Sequence, residues 1–195
     1  AILSMEESEI LCELRFIKED GVELPSRVYL FQGLPKGDKM ELIVQKAVEL
    51  GVHQVIPVAA SRCVVKLDDK KAAAKRARWQ GIAQAAAKQS GRAIIPEVTE
   101  VSSFAMAVEK ASEMDVALIP YELAQDMRRT KEIMEGLQPG GTVAVFIGPE
   151  GGFSEAEISL AAGNGIQPIT LGKRILRTET AGLAVLSWIM YQLEG

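Results

Sequence analysis

The chain has 195 residues, 48% of them hydrophobic and 25% charged, which is enough apolar sequence to bury one main core with a small appendage. Its formal net charge of -4 excludes a global positive field, so any nucleic-acid binding must come from local basic patches. A single histidine and two separated cysteines cannot form a zinc site, and the longest apolar stretch, 181–190, is too short to span a bilayer. We therefore expect no metal and no membrane span. Because no secretory leader is visible, we also expect a reducing, cytoplasmic location.

Residues 1–31 have a different residue pattern from the rest of the chain. Leu14 and Phe16 alternate with charged side chains, Asp20-Gly21 is a turn signal, and residues 28–31 form another strand candidate. Two or three strands do not make a stable sheet alone. The amino-terminal segment is therefore predicted to be β-structure that depends on other parts of a fold.

From residue 32 onward, helical and strand patterns alternate. The predicted elements are, in chain order, helix 40–50, strand 54–58, helix 70–90, strand 94–98, helix 102–112, strand 116–120, helix 126–137, strand 143–147, a helix starting at 154, strand 168–171 and helix 178–193. This alternation predicts an α/β domain with a mostly parallel sheet and helices on both faces. The glycine pattern of a dinucleotide site is absent, and residues 33–39 lack the spacing of a P-loop.

Two glycine-bearing loops end successive predicted strands near the end of the chain. The first, 148–152, has the sequence Gly-Pro-Glu-Gly-Gly and precedes a helix that Ser154 and Glu157 start as a capping box. The second, 172–177, leads into the last helix. Ligands of open parallel sheets bind at the carboxyl ends of strands, so the two loops predict one ligand site.

The residues of these loops, with several upstream segments, form a recognisable set. They are 147–154, 171–172 and 175–181, the last containing Arg-Thr-Glu-Thr-Ala, and upstream 36–40, 45–47, 49–52, Arg62 and 89–92. This set resembles the signature of the RsmE family, which methylates N3 of a uridine in 16S ribosomal RNA. The family belongs to the SPOUT class of knotted methyltransferases that use S-adenosylmethionine. The resemblance covers nearly the whole chain from Leu30 onward.

The resemblance implies an organisation that periodicity cannot reveal. The last strand-loop units would form a deep trefoil knot of the SPOUT kind, within a methyltransferase domain at residues 32–195. Residues 1–31 would be the remainder of a small, β-rich, PUA-like RNA-binding domain. Family members are homodimers that pack through their knotted regions with each active site at the interface. The stretch 181–190, apolar on nearly every helical face, fits such an arrangement.

The resemblance also implies the ligands and the residues that bind them. The expected cofactor is S-adenosylmethionine, and the expected partner is 16S rRNA or the small ribosomal subunit. The cofactor-binding residues would be Leu118, Pro120, Gly148, Pro149, Glu150, Gly151, Gly152, Leu171, Gly172, Ile175, Leu176, Thr178, Thr180 and Ala181. The candidates for RNA phosphates, with an ordinary solvent-exposed role as the alternative, are Lys36, Arg62, Gln89, Ser90 and Arg92.

Arg177 and Glu179 are the candidate catalytic residues. A fixed Arg177 guanidinium near the uracil oxygens would stabilise the imide anion that forms when N3 loses its proton. The alternative is an ion pair with Glu179 or Glu150 that only braces the fold. Either carboxylate would act as general base if burial raised its pKa toward neutrality. A helix-capping or structural role is the alternative for both.

Three functional hypotheses are compatible with the sequence. The first is methylation of N3 of a 16S rRNA uridine. The second keeps the knotted cofactor site but modifies another RNA target, at a ribose 2'-oxygen or a tRNA base. The third is a non-catalytic RNA-binding or assembly protein that retains the fold, and such a protein would not bind the cofactor.

Overall fold

The computed structural model describes residues 2–13, 15, 21–124 and 126–195. Its elements, in chain order, are β1 (Ile2–Met5), β2 (Ile10–Cys12), β3 (Arg27–Gly33), α1 (Lys39–Glu49), β4 (Gln54–Ala59), α2 (Asp69–Gln89), β5 (Glu97–Val98), β6 (Ser102–Ser103), α3 (Phe104–Ser112), β7 (Val116–Pro120), α4 (Met127–Glu135), β8 (Thr142–Ile147), α5 (Glu155–Gly163), β9 (Gln167–Ile169) and α6 (Thr178–Glu194). The strand signals at Leu14 and Phe16 and the turn signal at Asp20 lie outside the described residues.

The main sheet is parallel in all of its described pairings. Its strand order is β5-β4-β3-β8-β7-β9, with β6 also paired to β4. Parallel neighbours need a crossover connection, and helices in the crossovers cover the faces of the sheet. The predicted α/β class with a mostly parallel sheet is therefore confirmed.

The position of β3 corrects one assignment made from the sequence. The pattern placed residues 28–31 with the amino-terminal β-structure, but Arg27–Gly33 is a central strand of the main sheet. It pairs with β4 on one side and with β8 on the other. Val28, Leu30 and Phe31 have no exposed surface, as expected for a strand that is covered on both faces. This part of the assignment is wrong, and the main fold begins before residue 32.

Two apolar clusters fill the space between the sheet and its helices. One face is covered by α1, α2, α4 and α6, and the other by α3 and α5. On the second face, Phe31 and Phe146 stack with 4.5 Å between ring centroids, and Phe104 contacts both Phe146 and Phe153. Phe153 directly follows the first glycine-bearing loop, so this aromatic group anchors the loop in the core.

Several element boundaries differ from the sequence-based prediction by up to three residues, and β6 was not predicted. The strand expected at 94–98 is only Glu97–Val98, because the two isoleucines before it are each 45% exposed. The helix expected from residue 102 begins at Phe104, because the Ser103 side chain caps its first turn. These shifts leave the order of elements unchanged.

The strands β1 and β2 form a separate antiparallel pair in which every residue is exposed. Their large apolar side chains are between 53% and 69% exposed. A two-stranded pair without a covering layer is marginal in water.

Within the described ranges, none of the helices combines the length and apolarity needed to cross a membrane.

Candidate active site

A cavity of about 480 Å³ opens at the carboxyl ends of β7, β8 and β9. Both glycine-bearing loops line it, so the structure brings the segments 148–152 and 172–177 together. Its lining residues are Lys39, Arg62, Pro120, Tyr121, Glu122, 147–153, 170–178 and Ala181. The volume lies within the range of small-molecule sites, about 300–1,000 Å³.

The first loop is held in shape by its own backbone and by the helix that follows. The Gly152 amide donates to Pro149 O at 2.9 Å, and Gly152 has a φ of +64°, which favours glycine. Ser154 and Glu157 form the predicted capping box at the start of α5. Glu157 also accepts hydrogen bonds from the Ser61 amide at 2.7 Å and the Ser61 hydroxyl at 2.8 Å. The loop after β4 is thereby fixed beside the first glycine-bearing loop.

A buried threonine at the start of α6 joins the second loop to the first. The Thr178 hydroxyl donates to Gly148 O at 2.6 Å and accepts from Gln32 Nε2 at 2.9 Å. Within the second loop, the Gly172 amide donates to the Thr170 hydroxyl at 3.3 Å. Hydrogen bonds therefore connect the ends of β3 and β8 to the first residue of α6.

Lys39, in the first turn of α1, bridges two carboxylates beside the cavity. Its Nζ is 2.8 Å from Glu150 Oε1 and 3.5 Å from Glu179 Oε2. The hydrogen bond to Glu150 raises the pKa of Lys39 above its usual value, so the ammonium group stays charged. One cation thus connects the first loop to the first turn of α6.

Glu150 does not have the raised pKa that the sequence-based hypothesis of a general base required. Burial alone would raise its pKa, but hydrogen bonds from Lys39 and from the Lys36 amide outweigh burial and hold the pKa below its usual value. The hypothesis is therefore wrong for Glu150. Glu179 Oε2 is buried, accepts no hydrogen bond from any described residue and lies 3.5 Å from Lys39 Nζ.

The cavity is basic although the chain is acidic overall. Its basic lining residues are Lys39, Arg62, Lys173, Arg174 and Arg177, and its acidic ones are Glu122 and Glu150. Arg177 is exposed at the N-cap position of α6. The two carboxylates suggested as its ion-pair partners pair with Lys39 instead. Positive charge is therefore concentrated locally at this cavity, as the net negative charge of the chain requires of any site for an anionic ligand.

The candidates for RNA phosphates lie at two opposite edges of the sheet. The Lys36 amide binds Glu150 beside the cavity, and Arg62 lines the cavity and donates to Gly151 O at 3.1 Å. Gln89 and Ser90 end α2 near the amino ends of the strands, where Gln89 is exposed and the Ser90 hydroxyl donates to the helix backbone. The structure therefore separates the predicted set into two groups.

Arg92 is a structural residue. Its side chain is 4% exposed and forms an ion pair with Glu23. It also donates to Val48 O at 3.0 Å and Val52 O at 2.7 Å, which joins the end of α1 to the turn before β4. The predicted phosphate-binding role of Arg92 is wrong, because its donors are occupied within the fold.

Most of the predicted cofactor residues line the cavity, and two do not. Leu118 has no exposed surface and packs in the core within β7, and Thr180 is exposed in the first turn of α6. The catalytic candidate Glu179 is also outside the lining, but it reaches Lys39, which belongs to the lining. A sequence motif identifies a segment, whereas the direction of each side chain depends on the packing around it.

Several residues of the site were missed by the sequence analysis. Lys39 lies in a matched segment, and Lys173 and Arg174 lie in a predicted loop, but no role was attached to them. Gln32 carries a signal that could have identified it, because it is a polar residue inside an otherwise apolar strand. Among the described residues, no group of three or more histidine, cysteine, aspartate or glutamate side chains is arranged to hold a metal ion.

Comparison with known proteins matches the chain to one family. A family model described as an RNA methyltransferase domain matches residues 22–190. Ribosomal RNA small subunit methyltransferase E of Bacillus subtilis is 43% identical over 201 residues, covering 95% of this chain and 78% of that protein. The protein of the same name from Mesomycoplasma hyopneumoniae is 36% identical, over 85% of this chain and 70% of that protein.

A solved structure agrees with these matches. Ribosomal RNA small subunit methyltransferase E of Neisseria gonorrhoeae, bound to S-adenosyl methionine, is similar with a TM-score of 0.73 and 38% sequence identity. The match covers 84% of this chain and 65% of that one. The family model, the curated relatives and the fold thus agree, and the chain belongs to the RNA methyltransferase family that includes ribosomal RNA small subunit methyltransferase E.

Proposed function

We propose that this protein transfers the methyl group of S-adenosylmethionine to N3 of a uridine in the 16S rRNA of the small ribosomal subunit. One observation carries the proposal: two glycine-bearing loops line a single basic cavity at the carboxyl ends of parallel strands, in a chain of the RNA methyltransferase family. In this reaction the bond from the sulfonium sulfur to the methyl carbon breaks while the bond from N3 to that carbon forms. The N3 proton passes to a base, and the products are S-adenosylhomocysteine and methylated uridine.

The cavity has the composition that S-adenosylmethionine requires. Backbone amides and carbonyls of 148–152 and 171–172 supply polar contacts, and Leu171, Ile175 and Leu176 supply apolar walls for the adenine. Ile175 is 86% exposed, and a bound adenine ring would cover this apolar side chain. The cofactor supplies the activated methyl group, and these residues bind and orient it.

Arg177 is our proposed residue for the transition state. Arg177 lines the cavity and is exposed, and the carboxylates of Glu150 and Glu179 are paired with Lys39. A cation that is fixed near the uracil oxygens stabilises the negative charge that develops as N3 loses its proton.

Glu179 is our proposed general base, in preference to Glu150. Glu150 accepts hydrogen bonds from Lys39 and the Lys36 amide, which favour its ionised form and reduce its tendency to take a proton. Glu179 Oε2 is buried and lies 3.5 Å from Lys39 Nζ, longer than the 2.8 Å between Lys39 and Glu150. Because it accepts no hydrogen bond from any described residue, it can still accept one.

The last helix supports a knotted, dimeric organisation, which is also part of the proposal. The chain passes from β8 to β9, on the far side of β7, and then returns so that α6 packs against α1 and β8. One side of α6 is buried in the core, while Trp188 is 37% and Tyr191 79% exposed on another side. A second copy of the chain would cover those aromatic side chains at a homodimer interface.

We further propose that the segment before β3 is the remainder of a PUA-like RNA-binding domain and that the methyltransferase domain of the SPOUT class follows it. The exposed pair β1 and β2 supports this division, because its apolar side chains need a covering layer. With β3 assigned to the main sheet, the boundary moves from residue 32 to before Arg27. A small-subunit rRNA substrate supports a cytoplasmic place of action.

The test of this proposal is a calorimetric titration with S-adenosylmethionine, with ATP and NAD as controls, followed by a methyl-transfer assay on 16S rRNA and small subunits. Selective binding and a product with N3-methyluridine are expected. A modified ribose or tRNA base would favour another RNA target. A folded protein that does not bind S-adenosylmethionine would favour a non-catalytic assembly role.

Replacing Arg177 by alanine separates binding from chemistry. We expect the variant to bind S-adenosylmethionine within about threefold of wild type and to lose turnover by roughly 10²–10³-fold, the usual effect of removing one transition-state donor. Arg128→Ala, which removes an exposed guanidinium from α4, is the matched control and should keep full turnover. Unchanged turnover in Arg177→Ala would remove Arg177 from the mechanism.

A further inference from the structure

Gln32 is a polar side chain buried at the end of the central strand β3. The residue has no exposed surface, and it follows the apolar side chains of Leu30 and Phe31. Its Nε2 donates to Gly33 O at 3.0 Å and to Thr178 Oγ1 at 2.9 Å. The amide therefore contacts the residue that joins the two walls of the cofactor cavity.

The chemistry of the partners fixes the direction of these hydrogen bonds. The carbonyl oxygens of Gly33 and Gly148 can only accept. Gln32 must therefore present its nitrogen to Gly33, and Thr178 must donate its single hydroxyl proton to Gly148, at 2.6 Å. The Thr178 oxygen then accepts from Gln32. The relay from Gln32 through Thr178 to Gly148 has one possible orientation.

This orientation leaves Gln32 Oε1 buried without a hydrogen-bond partner among the described residues. The oxygen lies toward α6, where a Cβ built on Gly182 would be 3.8 Å from it. A buried polar atom without a partner destabilises a fold, and a methionine of similar volume would avoid that cost. The unpartnered oxygen costs stability, so the glutamine is explained by the contacts of its nitrogen with Gly33 and Thr178.

The backbone is closely packed at the same point. A Cβ built on Gly33 would lie 2.6 Å from Pro149 Cδ, closer than real Cβ contacts. The end of β3 thus lies directly against the first glycine-bearing loop. In addition to this packing, the Thr178 hydroxyl of the relay donates a hydrogen bond to the Gly148 carbonyl beside it.

We propose that Gln32 is a positioning residue for the cofactor cavity. Through Thr178 it fixes the Gly148 carbonyl and holds the loop 148–152 against the start of α6. Gln32 contacts no substrate, and its effect reaches the reaction only through the shape of this loop. The role rests on the proposed function, because the same loop is assigned to bind S-adenosylmethionine.

The first test compares Gln32→Met with wild type in cofactor affinity, turnover and thermal stability. We expect the Kd for S-adenosylmethionine to rise about tenfold, which corresponds to about 1.4 kcal/mol. The Tm should stay within about 4 °C of wild type, because removal of the buried oxygen without a partner offsets the loss of the two Nε2 hydrogen bonds. Gln54→Met, at the opposite end of the neighbouring strand, is the control and should keep wild-type affinity. A merely structural glutamine would instead lower the Tm and leave the affinity unchanged, and that result would overturn the proposal.

The second test needs no ligand and keeps the two proposals distinguishable. Hydrogen exchange of the ligand-free protein should become about tenfold faster at the Gly152 amide, which donates to Pro149 O, in Gln32→Met, with α2 unchanged. Thr178→Val should give the same effect, and the double variant should add nothing further, since both residues belong to one relay. Unchanged exchange at the Gly152 amide in both single variants would refute the positioning role. A wild-type protein that fails to bind S-adenosylmethionine would refute only the proposed function. If Gln32→Met does not fold, hydrogen exchange in Thr178→Val tests the relay instead.

Discussion

The side chains of Arg92, Lys39 and Arg177 carry the same charge, and their surroundings give them different roles. Arg92 is enclosed by a carboxylate and two backbone carbonyls. Lys39 is shared between two carboxylates at the cavity, and Arg177 is exposed there. The matched segments of the sequence identified all three as parts of a family pattern. These segments could not distinguish a structural cation from a functional one, because the difference depends on interaction partners that are distant in the sequence.

Arg92→Met should therefore affect stability and leave cofactor binding unchanged. The substitution removes the hydrogen bonds to two carbonyls and leaves the Glu23 carboxylate without its cation. Because Arg92 is buried and Glu23 is partly exposed, we expect a loss of about 2–3 kcal/mol in the free energy of unfolding. Urea denaturation measures this loss, and calorimetry should give an unchanged Kd for S-adenosylmethionine. Lys88→Met on the exposed side of α2 is the control. A stable variant that is defective only in RNA binding would restore the phosphate-binding role.

At the scale of elements, α5 illustrates what local sequence can and cannot predict. The capping box of Ser154 and Glu157 followed from spacing alone, because a capping box involves only neighbours in the chain. The hydrogen bonds from Ser61 to the same carboxylate could not be predicted, because no periodic pattern relates such distant residues. Most strands and helices could be predicted because their signals are local. The contacts that join the walls of the cavity could not, because they link residues distant in the sequence.

Glu157→Gln tests this double role through its pH dependence. Burial alone would raise the pKa of Glu157, but hydrogen bonds from Ser154 and Ser61 outweigh burial and hold the pKa below its usual value of 4.5. The contribution of the carboxylate to stability is therefore complete above about pH 4.5 and is lost as the pH falls through the lower pKa of the folded state. We expect the variant to be about 2 kcal/mol less stable at pH 7, where the charged acceptor is lost. The difference should shrink at pH 3, as measured by urea denaturation at both values. A pH-independent difference would show that the charge has no such role.

At the scale of the whole molecule, the strand order β3-β8-β7-β9 could not be read from the sequence. Periodicity identifies β7, β8 and β9, but it does not reveal that β9 pairs with β7 rather than with β8. The same limit applies to the outer side of α6. Its apolar composition predicted burial all round, and in the single chain part of that surface remains open.

Trp188→Glu tests whether a second copy covers this surface. A carboxylate at an apolar dimer contact would be desolvated without a partner, so we expect the variant to shift from dimer to monomer at micromolar concentrations. Sedimentation velocity measures the shift. Gln84→Glu, on the exposed side of α2, adds the same charge away from α6 and should leave the dimer intact. A wild-type protein that is monomeric at all concentrations would rule out the homodimer.

The central position of β3 has a consequence for synthesis of the chain. Its residues pair with both β4 and β8, and Arg27 stands beside Thr142 in the second of these ladders. During translation the amino-terminal part emerges first, so one hydrogen-bonding edge of this apolar strand stays open until β8 has left the ribosome. A fragment that ends before β8 would keep that edge unpaired, and an exposed apolar edge promotes aggregation. Among the strand pairs of the main sheet, β3 and β8 are the furthest apart in the chain, so the open edge of β3 is where a chaperone would protect the nascent enzyme.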